Sequence, residues 1–149
     1  MTDAGDETSG HILLGVSVCI FRADAVLMVE RGKPPGIGRW APVGGGIEPG
    51  ETAEEAALRE VTEETAVTIR LIGRVGRREI VPDPVPADGP RRIVLDVFAA
   101  LWVAGEPVAG SDARAARFVA LDRLHTLPTM PGVVPWIDAA RRLVDGAQG

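Results

Sequence analysis

The stretch GGIEPGETAEEAALREVTEETAV, residues 45–67, decides how this chain is expected to fold. Pro49-Gly50 is a turn signal. Thr52 followed three residues later by Glu55 forms a capping box, in which the hydroxyl and the carboxylate satisfy free amides at the start of a helix. Most of the residues that follow are strong helix formers. The stretch therefore predicts a turn and then a helix over about Ala53–Thr65.

This predicted helix carries acidic side chains on a face that should pack against the core. At about 100° per residue, a narrow face is shared by three small residues, Ala53, Ala56 and Ala57. Glu60 and Glu64 project from the same face one to two turns later, and Glu63 borders it. Desolvating carboxylates against a packed sheet is costly, whereas hard divalent cations such as Mg²⁺ are commonly shared between carboxylates and substrate phosphates. The alternative is an acidic surface facing solvent, but the capping box, the glycine run and the spacing favour a cation.

The spacing of these residues resembles the signature of the Nudix hydrolases. That signature reads Gly, five residues, Glu, seven residues, Arg-Glu, an aliphatic residue, any residue, Glu-Glu, any residue, Gly and an aliphatic residue. Here it runs from Gly45 through Glu51 to residues 59–67, and only Ala66 departs from it. A glycine just past a helix usually adopts a left-handed conformation, which costs other residues about 1 kcal/mol. Ala66 therefore predicts mild strain or a different helix exit. The family also commonly has Pro where Val43 stands, which we expect to matter little.

The resemblance implies what the acidic residues do. It implies hydrolysis of a pyrophosphate bond in a nucleoside diphosphate derivative, assisted by Mg²⁺ (or Mn²⁺) that Glu60, Glu63 and Glu64 would bind. One of these, or a carboxylate on a later loop, would act through a water as the general base. Direct contact is expected equally of Glu60, Glu63 and Glu64. Arg59 would turn away from the metal and pair with Glu51, or with Glu63 four residues on. Glu51 would thereby orient the loop.

A further acidic metal ligand is expected from outside the helix. Asp112 lies six residues before Phe118 and resembles the loop position that supplies such a ligand in relatives. Glu79, near a strand end, competes with it, and for both the alternative is a plain surface acid. Asp96 interrupts an apolar stretch, where it would either contact substrate or pair with an arginine.

The substrate is expected to meet the glycine run and a nearby arginine. Gly44, Gly45 and Gly46 would let the backbone approach the phosphates or the metal without interference from a Cβ. Arg39 is the favoured phosphate ligand because a guanidinium binds phosphate through a planar fork, although most such arginines are solvated surface charges. For the three tryptophans a core role is favoured over base stacking: Trp40, Trp102 and Trp136.

The rest of the chain predicts strands around two helices. Strands are predicted at 12–21, 25–30, 67–75, 77–81 (after a break near Gly76), 92–103 and 117–120, and a second helix at 135–145, ended by Gly146. This pattern suits a layered α/β domain, and the resemblance implies a Nudix-type α/β/α sandwich with a mixed β-sheet. Residues 1–10 are expected to be a flexible N-terminal tail, and 11–149 a single Nudix hydrolase domain.

Composition excludes several other classes. The chain has 149 residues, 46% hydrophobic and 25% charged, which is ordinary for one soluble domain with a sizeable core. No segment has the length of a membrane span. The net charge of −5 argues against general nucleic-acid binding. The single cysteine is compatible with a reducing cytoplasm, and a homodimer is common in proteins with this signature.

The substrate itself stays open at this point. The signature supplies only the diphosphate chemistry, whereas specificity is expected from loops 31–39 and 81–92 and from the C-terminal region. A nucleoside triphosphate and ADP-ribose or another nucleotide sugar are equally expected. One alternative is a non-catalytic module that senses a nucleotide, which the intact glutamates disfavour. The other is an RNA 5′-end pyrophosphohydrolase, which should show a basic groove.

Overall fold

Apolar and β-branched residues dominate the strands of the computed structural model, which describes residues 11–148. The predicted tail at 1–10 lies outside the described residues. In chain order the elements are β1 Ile12–Arg22, β2 Ala25–Arg31, β3 Trp40–Ala41, β4 Val43–Gly46, α1 Ala53–Thr65, β5 Thr68–Ile80, β6 Arg92–Ala104, β7 Ala113–Ala120, a 3₁₀ turn Leu121–Thr126 and α2 Val133–Gln148. Within 11–148, no helix is long and apolar enough to cross a membrane.

The seven strands form one mixed sheet. Its main order is β3-β2-β1-β6-β5, with β4 added beside β1 and β7 beside β2. β1 and β6 run parallel, and the other pairs are antiparallel. β2 pairs with β1 only next to their connecting turn, and β4 takes its place beside Gly15–Val18. The glycines of β4 are thereby brought to the middle of the sheet.

A helix covers each face of the sheet. On one face Val16, Val18 and Ile20 of β1 belong to the core that includes Ala57 and Val61 of α1. On the other face Cys19 and Phe21 belong to the core of α2, whose buried residues are Val133, Ile137, Ala140 and Val144. Because side chains alternate along a strand, one apolar strand serves both cores. The predicted α/β/α sandwich with a mixed sheet is confirmed.

Several predicted element boundaries were wrong. β5 continues through Gly76, and register shifts at Leu71/Gly73 and Arg74/Gly76 show that the predicted break is a pair of bulges. The glycine run forms a strand that was absent from the predicted set, because it pairs with β1. β7 begins at Ala113 instead of 117. α2 begins at Val133 and continues past Gly146, since glycine weakens a helix without ending it.

Candidate active site

The start of α1 is fixed by the capping box that the sequence predicts. The backbone N–H of Glu55 donates to Thr52 Oγ1 at 3.0 Å, and the backbone N–H of Thr52 donates to Glu55 Oε1 at 2.9 Å. Both bonds satisfy amides that a helix start would otherwise leave free. The capped first turn and the buried face together set the rotation of α1 about its axis. That rotation determines the directions in which its glutamates point.

That buried face differs slightly from the predicted one. Its buried residues are Ala56, Ala57, Val61 and Thr65, while Ala53 lies at its edge. Glu60 and Glu64 flank this face and are partly buried; only 12% of the Glu60 side chain is exposed. Glu63 turns outward, with 59% of its side chain exposed. The helix therefore presents one nearly buried, one half-buried and one exposed carboxylate.

Gly45 lies directly against the carboxylate of Glu60. A Cβ built on Gly45 would stand 2.2 Å from Glu60 Cδ, so any side chain there would displace the carboxylate. A Cβ on Gly44 would stand 2.6 Å from the carbonyl oxygen of Val16, whereas one on Gly46 would meet nothing closer than 3.8 Å. The absence of a side chain at Gly45 therefore leaves room for the Glu60 carboxylate, and its absence at Gly44 leaves room for the backbone of β1. Contact of Gly44, Gly45 and Gly46 with substrate stays a prediction.

Arg59 connects the loop before α1 to the glutamates. It donates to both carboxylate oxygens of Glu51, at 2.7 and 3.0 Å, and to the carbonyl oxygen of Gly46 at 2.9 Å. The same guanidinium donates to Glu60 at 2.9 Å and to Glu63 at 3.2 Å. Its hydrogen bonds hold the pKa of Glu51 below the ordinary value. The pairing expected between Arg59 and Glu51 is therefore present, and so is the one with Glu63.

Glu64 is the electrostatically unusual residue of the site. Its pKa is raised to about 7, first by burial and then by the charges of Glu60 and Asp112, while Arg31 and the backbone N–H of Gly44 act in the opposite direction. Burial also raises the pKa of Glu60, although Arg59 opposes this. The ion pairs of Arg59 do not extend to Glu64. Negative charge on hard oxygen donors is thus under-compensated here, which suits a divalent cation.

Asp112 lies immediately before β7, within electrostatic range of Glu64. Its Oδ1 pairs with Lys33 Nζ at 2.8 Å, and its side chain is 57% exposed. Its competitor Glu79 forms an ion pair with Arg92. Within residues 11–148, no three acidic, histidine or cysteine side chains stand as a preassembled metal cage. The ligand set Glu60, Glu63, Glu64 and Asp112 therefore stays a prediction.

Three other predicted residues lie in structural contacts. Arg39 is exposed and donates to the carbonyl oxygen of Thr129 at 3.1 Å. Trp40 is 6% exposed and belongs to the core on the α2 side, as favoured from the sequence. Asp96 is paired with two arginines of β5, Arg74 at 2.9 Å and Arg77 at 3.2 Å. Phosphate binding by Arg39 is not tested by these contacts.

Sequence reasoning missed the segment that covers the end of α1. Ala66 leaves the helix in the left-handed conformation with φ 63° and ψ 12°. The backbone N–H groups of Val108 and Gly110 then donate to the carbonyl oxygens of Thr65 and Glu64, each at 2.9 Å. These contacts join residues more than forty positions apart, so no local pattern indicates them. The glycines at 105 and 110 were the available signal.

Comparison with known proteins identifies the family. Residues 11–139 match the family model described as NUDIX domain, so the chain belongs to the Nudix family. It is a pyrophosphohydrolase of nucleotide derivatives, and this family generally uses divalent metal ions.

Individual relatives show how far the likeness extends. An ADP-ribose pyrophosphatase of Methanocaldococcus jannaschii is 33% identical over 117 residues, 78% of this chain and 67% of that protein. A Mycobacterium tuberculosis protein provisionally named 8-oxo-dGTP diphosphatase 2 is 32% identical over 133 residues, 89% and 90% of the two chains. The NUDIX domain of Shewanella oneidensis NrtR, solved with ADP ribose, superposes with a TM-score of 0.74 at 22% identity, covering 97% of this chain and 99% of that one. This last likeness is one of fold.

Proposed function

We propose that the protein hydrolyses the pyrophosphate bond of a nucleoside triphosphate or of ADP-ribose or another nucleotide sugar. The reaction would use Mg²⁺ or Mn²⁺ bound at the glutamate face of α1, which is the surface that carries Glu60, Glu63 and Glu64. The observation that carries the metal assignment is Glu64. Its carboxylate is half-buried near the negative charges of Glu60 and Asp112, and its pKa is raised to about 7. A bound cation would remove the penalty of that buried charge.

The proposed ligands are Glu60, Glu63, Glu64 and Asp112. A divalent cation held there would neutralise phosphate charge and lower the pKa of a bound water. Arg59 keeps Glu51 and the carbonyl oxygen of Gly46 as partners when Glu60 and Glu63 turn to a cation, so the loop and the helix remain joined. We assign the general base to one of the carboxylates Glu60, Glu63, Glu64 and Asp112, which would take a proton from the attacking water.

The names of the relatives support two classes of small nucleotide substrate. One is named for ADP-ribose and another for an oxidised deoxynucleoside triphosphate. Both classes carry the same pyrophosphate group, which the glycine strand and Arg39 would approach. The parts of the substrate beyond the pyrophosphate would be recognised by the loops at 31–39 and 81–92.

Two further proposals concern the setting. We place the enzyme in the cytoplasm, where a reducing environment suits the single cysteine, Cys19, which is free and buried. We also propose a homodimer. Light scattering after size exclusion distinguishes the dimer from a monomer of 15.7 kDa.

A substrate panel tests the proposal. Purified protein is incubated with dGTP, 8-oxo-dGTP, ADP-ribose, a sugar nucleotide and 5′-triphosphorylated RNA, each with Mg²⁺, with Mn²⁺ and with EDTA, and the products are separated by anion exchange. Metal-dependent cleavage of one small nucleotide class is expected. Nucleotide binding without turnover would overturn the proposal in favour of a sensor. Preference for the RNA would overturn the substrate assignment.

A further inference from the structure

The segment between β6 and β7 lies with its backbone against the carbonyl end of α1. Gly110 N–H donates to Glu64 O, and Val108 N–H donates to Thr65 O, each at 2.9 Å. The last carbonyls of a helix have no partner within the helix, so these two bonds replace partners that water would otherwise supply. The segment therefore caps the same turn of α1 that carries Glu63 and Glu64.

Gly110 permits this contact because it has no side chain. A Cβ built there would stand 2.5 Å from the carbonyl oxygen of Glu63 and 3.1 Å from Glu64 Cα. Both neighbours are backbone atoms of a helix, which cannot move aside as a flexible side chain would. The backbone of Gly110 is not in the left-handed region, so the reason for glycine is the close approach.

The same contact sets the place of Asp112. A turn links Gly110 to the start of β7, where Ala113 N–H donates to Gly110 O at 3.2 Å. From the other side, Gly32 N–H donates to Asp112 O at 3.1 Å. A Cβ on Gly32 would stand 3.0 Å from that same oxygen. Asp112 is thus held between the helix and the loop after β2 by two glycines at close range.

We propose that Gly110 is a positioning residue for hydrolysis: its contact with Glu63 seats Asp112 beside Glu64. A methyl group at this position pushes the segment away from α1 and carries Asp112 with it, while every charged group of the site is retained. This inference rests on the proposed function, because it takes Asp112 to act together with the glutamates of α1.

A double-mutant cycle separates positioning from a general structural effect. The variants are Gly110→Ala, Asp112→Asn and both together. Gly146→Ala is the matched control, since a Cβ there meets nothing within 4 Å. Mn²⁺ affinity is measured by electron paramagnetic resonance. The kcat and KM values are measured with the preferred nucleotide. Residues that orient metal ligands typically contribute 10–100-fold.

Gly110→Ala is expected to weaken Mn²⁺ binding and to lower kcat by at least about tenfold, with a smaller change in KM. In the Asp112→Asn background the same substitution should add less than about twofold, because the two changes act through one group. Equal losses in both backgrounds, or no loss in either single variant, would overturn the proposal. The Mn²⁺ titration needs no turnover, so it decides this point even if the substrate panel fails.

A measurement on the unaltered protein covers the case in which Gly110→Ala does not fold. Hydrogen exchange of the Val108 and Gly110 amides should be slowed in the wild type, because both donate to the helix end. If these two amides exchange as fast as an unstructured peptide, the segment is not seated on α1 and the proposal fails.

Discussion

At the scale of single residues, Ala66 ends α1 in a conformation that usually belongs to glycine. Its φ is 63°, and its N–H donates to Thr62 O at 3.1 Å. A Cβ in this region costs about 1 kcal/mol. We therefore expect Ala66→Gly to raise the free energy of unfolding by about 0.5–1 kcal/mol, measured by urea denaturation.

Ala139 provides the control of opposite sign. It lies inside α2, where replacing Ala by Gly should lower the free energy of unfolding by about 1 kcal/mol. If both substitutions destabilise by similar amounts, the strain assigned to Ala66 is absent.

At the scale of elements, the approach of β4 to α1 holds Glu60 in place. Gly45→Ala would put a methyl group 2.2 Å from the present position of Glu60 Cδ, so the carboxylate must move. We expect Mn²⁺ affinity and kcat to fall at least about tenfold, as for other groups that orient a metal ligand. Isothermal titration and steady-state kinetics measure the two effects.

Gly73→Ala is the matched substitution on another strand. Its Cβ would meet a side chain, that of Leu143, at an ordinary 3.4 Å. Activity should stay within about twofold of the wild type, since this glycine is remote from any proposed ligand. Unchanged Mn²⁺ binding in Gly45→Ala would show that the position of Glu60 does not matter for the metal.

The elements also show which features the sequence could predict. The helix and its capping box depend on neighbours within four residues, so Thr52 and Glu55 were enough to place them. Strand β4 and the seat of Gly110 depend on pairing with distant residues. Gly45 was recognised as important, but its contact with Glu60 appears only when β4 and α1 are packed together.

At the scale of the whole molecule, the fold class could be predicted from the sequence, whereas the electrostatics of the site required the assembled structure. Predicted strands around two predicted helices indicated a layered α/β domain, and the resemblance to the Nudix signature supplied the α/β/α sandwich. The raised pKa of Glu64 could not be predicted, because burial and the charges of Glu60 and Asp112 act only in the folded chain. That shift links the stability of the metal-free protein to pH.

The sign of this linkage follows from the two pKa values. Glu64 has an ordinary pKa of 4.5 and a folded-state pKa of about 7, so between these values the folded state holds a proton that the unfolded state has lost. Its contribution to stability is present below pH 4.5 and is lost as the pH rises through 7. We expect Glu64→Gln to become increasingly stabilising, relative to wild type, from about pH 5 to about pH 8 in EDTA.

Urea denaturation at several pH values measures this difference. Glu54→Gln, which replaces a glutamate exposed elsewhere on α1, provides the comparison. A stability difference between Glu64→Gln and wild type that is constant over this pH range would contradict the assigned environment of Glu64.

The central claim is that the glutamate face of α1 binds the divalent cation required for hydrolysis. The most direct measurement is the Mg²⁺-dependent cleavage rate of the preferred nucleotide by Glu64→Gln, with Glu54→Gln as the control. Loss of a metal ligand should lower kcat/KM at least about 100-fold, equivalent to about 2.7 kcal/mol of transition-state stabilisation. The control should retain nearly full activity. Full activity in Glu64→Gln, or equal losses in both variants, would contradict the claim.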